Sequence, residues 1–433
     1  MSRLLAALLG ALLFWSFDRG LTNCDPAHQH VPQFHNLHPA VQDAQERPPT
    51  PLWESNFNGV RFEQYNPAEH VKDDKCSLQP GQSRPQRIPK VVHFIFGLAE
   101  NFGSSPFNFV HYMAVLSAHQ RIRPEAIYMH HIFQPTGYWW EHAKHMVTLV
   151  KARDASQLYG HKLQHVAHQA DILRLEALYK WGGIYMDIDT LSIVPFDALL
   201  HHDFIIGEEG DGEYGLGNSV MAAAPGSKFA ERWLSAYAAF RTSEWAEHSI
   251  FIPRRLAIEH PDELCVLPPY AFSYPLAWTA EGQQALFTPV ANQDISGVLV
   301  KTPALNGTMY NALYVGQYAL HLAEHGSWKY LADYDYQYVR EHQTITRMQL
   351  LMEDILKDLP PVPRDPDYDR RYEPIPGLPK PSSWTEQGSK LLTEEELKEQ
   401  VKAADKQQLE EIRPDDLPER VQQLIKILIE RLP

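Results

Sequence analysis

The stretch from His168 to Leu191 contains charged residues at spacings that could bind a metal ion and an anion. Asp187 and Asp189 are separated by a single residue and follow a short apolar run. Two carboxylates in an all-oxygen setting are typical ligands of Mg²⁺ or Mn²⁺, which complete their coordination shells with water and phosphate oxygens. Asp171 and Arg174 lie three residues apart, so on a helix they would project to nearly the same side, toward a cleft. The spacing therefore indicates a divalent-metal site with an ion pair beside it.

The same stretch predicts the elements that would hold these residues. Apolar side chains recur on one helical face, at Ile172, Leu175, Leu178 and Tyr179. Gly182 and Gly183 then stand where a helix commonly ends in a left-handed residue. The next run, from Ile184 to Asp189, predicts a buried strand, whose alternation would place Tyr185, Asp187 and Asp189 on one face.

Residues 87–345 are predicted to form one α/β domain with a mixed sheet. Short apolar runs of strand length alternate with helical patterns in this region, at 91–96, 126–133, 184–186, 204–206, 220–224 and 298–300. This alternation is typical of sheets covered by helices rather than of all-helical or all-strand proteins.

The flanking regions are predicted to lie outside that domain. Residues 1–20 include an uncharged run of 14 residues, from Leu4 to Phe17, which predicts an uncleaved signal anchor, or a cleaved signal peptide and secretion. Residues 21–86 form a Pro/His-rich stem and residues 346–384 a proline-rich linker, while residues 385–433 form a charged helical tail. An anchored chain of this kind would be a single-pass type II protein of the Golgi or ER membrane, with its domain in the lumen.

Charge and cysteine content restrict the partners. With 39 Lys+Arg against 54 Asp+Glu, the net charge is −15, which argues against nucleic-acid binding. The three cysteines allow one internal bridge, for which Cys76 with Cys265 is one option, leaving Cys24 to join two chains into a homodimer. The Asn306-Gly307-Thr308 sequon agrees with a secretory route and a glycoprotein.

The full pattern of Asp171, Arg174, the double glycine and then Tyr-x-Asp-x-Asp resembles the sugar-binding region with a DxD motif of family 32 glycosyltransferases. That family includes fungal Golgi mannosyltransferases and animal α-1,4-galactosyltransferases, and glucosylating clostridial toxins share the spacing. The resemblance covers about residues 87–335. It implies a GT-A-type, Rossmann-like domain with the nucleotide at the carboxyl ends of the strands.

The resemblance also implies roles for individual residues. Asp187 and Asp189 would hold Mn²⁺ or Mg²⁺, with His321 as a further metal contact, while Asp171 and Arg174 would bind the sugar and, for the arginine, phosphate charge. Further contacts with the nucleotide-sugar donor are implied at Phe96, Tyr185, Asn218, Ser327 and Trp328.

The implied reaction is metal-assisted transfer of a hexose, mannose or galactose, from a UDP- or GDP-sugar to a glycan or glycolipid acceptor with retention of configuration. The departing phosphate can accept the acceptor's proton, so no catalytic base is assigned. Glu208 and Glu209 either line the acceptor side or are exposed loop carboxylates.

Two other functions fit parts of the pattern. Asp187-x-Asp189-x-Thr190 also matches the first signature of haloacid-dehalogenase-like phosphatases, in which the first aspartate is a nucleophile. That class needs a later Gly-Asp-x-x-x-Asp pair, yet Gly215 stands where its second aspartate belongs. The third candidate is a non-catalytic sugar-binding protein on the same fold.

Overall fold

The computed structural model of the protein describes residues 74–100, 107–210, 215–240, 245–290, 297–332, 334–341, 345–363 and 365. The predicted anchor, most of the stem, the tail and Cys24 lie outside these residues. None of the helices that are described is long and apolar enough to cross a membrane.

The described chain alternates strands and helices. The strands are β1 (Val91–Ile95), β2 (Ala126–His131), β3 (Thr148–Lys151), β4 (Gln157–Leu158), β5 (His161–Lys162), β6 (Gly183–Met186), β7 (Thr190–Ser192), β8 (Phe204–Glu209), β9 (Gly215–Ala223), β10 (Cys265–Leu267), β11 (Val300–Pro303), β12 (Met309–Ala312) and β13 (Ala319–His321). The α-helices are α1 (Phe109–Ser117), α2 (Tyr138–Ala143), α3 (Val166–Trp181), α4 (Lys228–Ala236), α5 (Ile252–Glu259), α6 (Ala280–Phe287), α7 (Glu324–Leu331), α8 (Tyr336–Glu341) and α9 (Arg347–Leu356).

A seven-stranded mixed sheet in the order β10-β8-β9-β6-β1-β2-β3 organises the fold. β9 runs antiparallel to both of its neighbours, β6 and β8, while the other pairings are parallel. The predicted α/β class with a mixed sheet is therefore confirmed. A separate antiparallel pair, β7 with β13, lies beside the carboxyl end of β6 and aligns Thr190 with His321.

Apolar side chains cover both faces of the sheet, which is why its strands read as apolar runs in the sequence. Ile184 and Met186 of β6 belong to a cluster that also contains α1, α2, α6 and α9 side chains, such as Met113 and Met352. Tyr185, which lies between them, belongs to the cluster on the other face with α3, α4 and α5. The sheet is thus the middle layer of an α/β/α sandwich.

The predicted end of the helix at Gly182 and Gly183 is confirmed, whereas the predicted strand is shorter than expected. α3 ends at Trp181, and Gly182 and Gly183 follow with φ values of +67° and +111°. β6, however, ends at Met186, and the Thr190 N–H donates to the Asp187 carbonyl at 3.0 Å. The prediction that Asp189 continues the strand face of Tyr185 was wrong, because a turn over 187–190 redirects the chain.

Residues on both sides of the predicted domain limits also pack on the sandwich. Cys76, from the predicted stem, is disulfide-bonded to Cys265 at the start of β10. α9 lies in the predicted proline-rich linker, but Leu351, Met352 and Ile355 are buried in the main apolar cluster. The globular part therefore begins before residue 87 and continues beyond residue 345. The predicted run at 298–300 is also displaced, since β11 begins at Val300.

Candidate functional site

Asp187, Asp189 and His321 meet at the carboxyl end of β6. Their side-chain ligand atoms all lie within 4.8 Å of one another. The His321 Nε2 atom is 3.4 Å from Asp189 Oδ1 and 3.8 Å from Asp187 Oδ2. The turn over 187–190 presents both carboxylates, and the β7–β13 pairing brings the histidine from a site 132 residues further along the chain.

The pKa of His321 shows how negative this cluster is. Burial alone would lower the pKa, but the carboxylates of Asp189, Asp187 and Glu209 raise it to about 9. For Asp189, burial would raise the pKa, yet His321 and the Glu324 N–H together hold it well below its usual range. Negative charge of this density favours a cation at the cluster.

Arg174 connects the Asp187–Asp189–His321 cluster to Asp171, the other residue for which the resemblance implies sugar binding. Its Nη1 donates to the Asn218 carbonyl at 2.8 Å and lies 3.2 Å from Asp187 Oδ1, while Nη2 lies 3.4 Å from Asp171 Oδ1. The guanidinium also sits 4.7 Å from the centre of the Tyr185 ring. Burial would lower the pKa of Arg174, but the carboxylates of Asp187 and Asp171 raise it further above its usual value. The arginine therefore stays charged between two carboxylates.

Two hydrogen bonds fix the carboxylates that Arg174 contacts. The buried Tyr185 hydroxyl donates to Asp187 Oδ1 at 2.6 Å. Asn218 Nδ2 donates to Asp171 Oδ1 at 2.7 Å, and both residues are buried. Burial raises the pKa of Asp171, although the charge of Arg174 opposes this. Both carboxylates are held in defined orientations, as a binding site requires.

A second network holds Asp189 from the side of α7. Its Oδ2 accepts from the backbone N–H of Glu324 at 2.6 Å. The Glu324 carboxylate accepts from Asn108 Nδ2 at 2.6 Å and lies 2.9 Å from His111 Nε2. Since His111 Nδ1 accepts from the Asn108 N–H at 3.1 Å, its proton is on Nε2 and is donated to Glu324.

Three predicted donor contacts lie at the edge of this arrangement. Phe96 follows β1 and packs edge-on against Phe107, with its ring centre 4.9 Å from that of His111. Ser327 is fully buried, and its hydroxyl donates to the Leu322 carbonyl at 2.6 Å. Trp328 is 60% exposed. In the protein alone, Phe96 and Ser327 thus stabilise the apolar core and the turn before α7, while the Trp328 ring is open to solvent.

Glu208 and Glu209 end β8 rather than occupying an exposed loop. Glu208 is 8% exposed and Glu209 is partly buried. Burial raises the pKa of Glu209, and Asp187 raises it further against the influence of His321. Because Gly217 has no side chain, the Glu209 carboxylate can approach it closely, and a Cβ at that position would lie 2.7 Å from Oε2. Of the two glutamates, Glu209 is the one whose charge influences Asp187 and His321.

Comparison with known proteins identifies the family. A family model described as "Glycosyltransferase sugar-binding region containing DXD motif" matches residues 111–205. "Glucan organizing enzyme 1" of Cryptococcus neoformans var. grubii serotype A is 34% identical over 285 residues, which cover 62% of this chain and 73% of that protein. The chain belongs to this family of glycosyltransferases. The resemblance drawn from the sequence is confirmed.

Solved structures similar to this glycosyltransferase are more distant. The PaToxG glycosyltransferase is 16% identical with a TM-score of 0.30, covering 41% of this chain and 71% of that one. The galactosyltransferase LgtC, solved with donor and acceptor sugar analogs, is 11% identical with a TM-score of 0.32, covering 65% of this chain and 99% of that one. The family assignment therefore rests on sequence.

Sequence reasoning missed several residues of the glycosyltransferase site. The Glu324 N–H donates to Asp189, His111 contacts the Glu324 carboxylate, and the Trp278 side chain is hydrogen-bonded to Glu209. Each comes from an element far away in the chain and belongs to no short motif. The Glu324 contact is made by a backbone N–H, which any residue type except proline could supply.

Proposed function

We propose that this glycosyltransferase transfers a hexose, mannose or galactose, from a UDP- or GDP-sugar to a glycan or glycolipid acceptor, with retention of configuration and a divalent cation. The observation that carries the proposal is the convergence of Asp187, Asp189 and His321 beside the Asp171–Arg174 pair. A cation and a buried guanidinium next to each other suit a diphosphate carrying a sugar. We infer a GT-A-type domain from the mixed sheet and the position of the site after β6.

The residues of the cluster fit a divalent cation. Two carboxylates and one imidazole are a common donor set for first-row ions, and the nitrogen ligand favours Mn²⁺ over Mg²⁺. Asp187, Asp189 and His321 would hold the ion, with its remaining positions taken by water and substrate oxygens. When bound, the cation would stabilise the negative charge that develops on the leaving nucleoside diphosphate.

The protein's own groups would orient the donor. Asp171 has one oxygen free of described hydrogen bonds, since Asn218 and Arg174 both contact Oδ1, and the free Oδ2 can accept from a sugar hydroxyl. Arg174 can donate to a phosphate oxygen while keeping Asp187 in place. Glu209 faces the same space and would contact the acceptor. Phe96, Ser327 and Trp328 would complete the donor site once the nucleotide is present.

The location of the reaction is a separate proposal. An N-terminal anchor in a Golgi or ER membrane would hold the domain in the lumen, where the Cys76–Cys265 disulfide is stable. The sequon agrees with this route, since Asn306 and Thr308 are exposed in the turn between β11 and β12. The name of the Cryptococcus protein refers to glucan and supports a polysaccharide or other glycan acceptor.

A panel assay tests the proposed function. The full-length protein is incubated with Mn²⁺ and individual UDP- and GDP-hexoses, and release of nucleoside diphosphate is measured. One donor should be turned over, and Asp187→Asn or Asp189→Asn should lower its rate by about 100-fold or more. Asp197→Asn is the matched control, because this carboxylate pairs with Lys90 at the surface.

The outcomes separate the alternatives. Hydrolysis of p-nitrophenyl phosphate that depends on Asp187, without binding of any nucleotide sugar, would replace the transferase with a phosphatase. Donor binding without turnover toward any acceptor or water would instead indicate a sugar-binding protein. Mn²⁺-independent turnover would refute the metal-assisted part of the proposal.

A further inference from the structure

Trp245 is an exposed aromatic side chain in a group of rings beside the candidate site. Its side chain is 56% exposed. The centre of its ring is 5.0 Å from that of His168 and 5.4 Å from that of His165, which is itself only partly buried. A single exposed apolar residue is ordinary, but an indole grouped with imidazole rings next to a functional site is typical of a binding surface. We call the surface formed by Trp245 and His165 the Trp245 patch.

Packing against β9 places this patch at the edge of the sheet where the candidate site lies. Ile250, in the helical turn that follows Trp245, packs on Gly215, where a Cβ would lie 2.6 Å from Ile250 Cγ2. Gly215 is the first residue of β9, which begins beyond the carboxyl end of β6 because Met186 pairs with Val220. The segment that carries Trp245 therefore borders the same edge as the metal cluster.

His168 connects Trp245 to Asp171. The His168 Nε2 atom lies 3.3 Å from the Trp245 carbonyl oxygen. His168 and Asp171 are three residues apart on α3, so their Cβ atoms are about 5–6 Å apart on one side of the helix. Together with the 5.0 Å between the His168 and Trp245 rings, this puts the indole on the order of 10 Å from Asp171. That separation is comparable to the length of a disaccharide.

The order of contacts along α3 separates the indole from the metal cluster. Arg174 lies one turn after Asp171 on this helix, and His168 lies one turn before it. Asp187 contacts the arginine, whereas Trp245 contacts the histidine. In the proposed function the diphosphate is bound at the cluster and the hexose at Asp171. A ligand on the indole would then lie beyond the hexose, away from the diphosphate, which suits the acceptor rather than the nucleotide.

The chemistry of the patch fits a neutral sugar. The C–H face of a pyranose ring is apolar and can pack flat on an indole, while imidazole and amide groups beside it hydrogen-bond the hydroxyls. Both kinds of polar group occur at the start of α3, at His165 and at the exposed Gln164. Residues 164–170 contain no Asp, Glu, Lys or Arg. A segment without fixed charge favours a neutral sugar over a phosphorylated or acidic ligand.

We propose that the Trp245 patch is an acceptor subsite, on which one neutral sugar unit of the acceptor glycan stacks next to the unit that receives the hexose. This inference rests on the proposed function, because it takes Asp171 as the position of the transferred hexose. It specifies the acceptor as a glycan of more than one sugar unit. The protein should therefore use such a glycan better than the corresponding monosaccharide, which cannot reach the indole and the transfer position together.

Binding to a printed array of neutral oligosaccharides tests the subsite. The full-length protein is applied with Mn²⁺ and UDP or GDP, and the Kd of the glycan that binds best is then measured by titration. Trp245→Ala should raise this Kd about tenfold or more, because the stacking surface is lost. Trp245→Phe keeps an aromatic face and should raise it less. Since the indole is mostly exposed, the melting temperature should change little in both variants.

Trp181→Ala is the matched control. It also removes a partly exposed indole, 43% exposed, but from the opposite end of α3. Its Kd for the glycan should equal that of the unaltered protein. An equal loss of binding in the Trp181 and Trp245 variants would overturn the inference, because the effect would then not depend on the position of the indole.

Kinetics distinguish an acceptor subsite from a donor contact. With the array glycan as acceptor, its KM should rise in Trp245→Ala by a factor similar to the rise in Kd, while the donor KM stays the same. A raised donor KM with unaltered glycan binding would assign the indole to the nucleotide and overturn the inference. Absence of glycan binding by the unaltered protein would also overturn it. If no nucleotide sugar were turned over but binding still depended on Trp245, the proposed function would fail and only a glycan site would remain.

Discussion

Asp189 and Glu324, 135 residues apart in the chain, are joined by a hydrogen bond of 2.6 Å from a backbone N–H to Oδ2. The bond depends on the conformation before α7, where Ala323 adopts a left-handed φ of +45°. The Glu324 side chain in turn contacts His111 of α1. The second aspartate of the DxD motif is therefore positioned by two elements that the motif does not include.

Glu324→Gln should weaken metal binding without unfolding the protein. The amide keeps the size of the side chain but removes the charge, and its NH₂ group must face one of two donors, Asn108 Nδ2 or His111 Nε2, where an acceptor is needed. Changes to groups that orient metal ligands typically cost about 10–100-fold in affinity. Calorimetric titration with Mn²⁺ measures the change. Glu141→Gln, an exposed partner of Lys144, serves as the control and should bind Mn²⁺ normally.

Arg174→Met should both destabilise the fold and abolish donor binding. The change leaves Asp171 and Asp187 without their shared buried cation, and loss of one partner of such a cluster costs about 3–5 kcal/mol. Urea unfolding measures that loss. Arg121→Met also breaks a largely buried pair, with Asp354, but it should leave the donor KM unaltered. A donor KM close to the original in Arg174→Met would contradict the assigned role.

Local sequence patterns were sufficient for α3, the glycines and β6. The apolar period marks the helix, Gly182 and Gly183 mark its end, and the short apolar run marks the strand. The two ion-pairing residues of α3 could be placed in the site because the helix fixes their relative direction. Each of these inferences needed only neighbours within a few residues.

The strand order and the other contacts within the site depend on residues far apart in the chain, which no local pattern encodes. Asn218 meets Asp171 because β9 inserts antiparallel beside β6, and strand order is decided by the packing of the whole sheet. Asp189 does not share the strand face of Tyr185, because a turn over 187–190 redirects the chain into β7, which pairs with the distant strand β13.

Gly183→Ala should destabilise the fold by more than a left-handed backbone conformation alone would cost. The backbone has a φ of +111°, and a Cβ would lie 2.6 Å from Val91 Cγ2 and 2.9 Å from the Val91 carbonyl oxygen. Backbone strain of about 1–2 kcal/mol adds to overpacking of about 1–3 kcal/mol. Gly226→Ala isolates the first contribution, because its φ is +71° and nothing lies within 4 Å of the added carbon. Equal unfolding free energies for the two variants would refute the steric explanation.

His93 and His130 form a buried pair whose protons can be assigned. The His93 Nε2 atom lies 2.9 Å from the Gly182 carbonyl, which only accepts, so the proton is on Nε2. His93 Nδ1 then accepts from His130 Nε2 at 3.0 Å. Burial lowers the pKa of His93 to about 4 and that of His130 to about 3, the latter with a contribution from His93. Both rings are neutral in the folded protein.

This pair should make the fold lose stability in mild acid. In the unfolded chain His93 becomes protonated below its ordinary pKa of 6.5, whereas in the folded protein it stays neutral until about pH 4. The free energy of unfolding is therefore highest above pH 6.5. It decreases as the pH drops toward 4, by about 3 kcal/mol for His93 alone. Urea unfolding at a series of pH values should show a smaller acid dependence in a His93→Gln/His130→Gln double variant. The exposed His119→Gln should keep the original dependence, and an unaltered slope in the double variant would exclude the pair as its source.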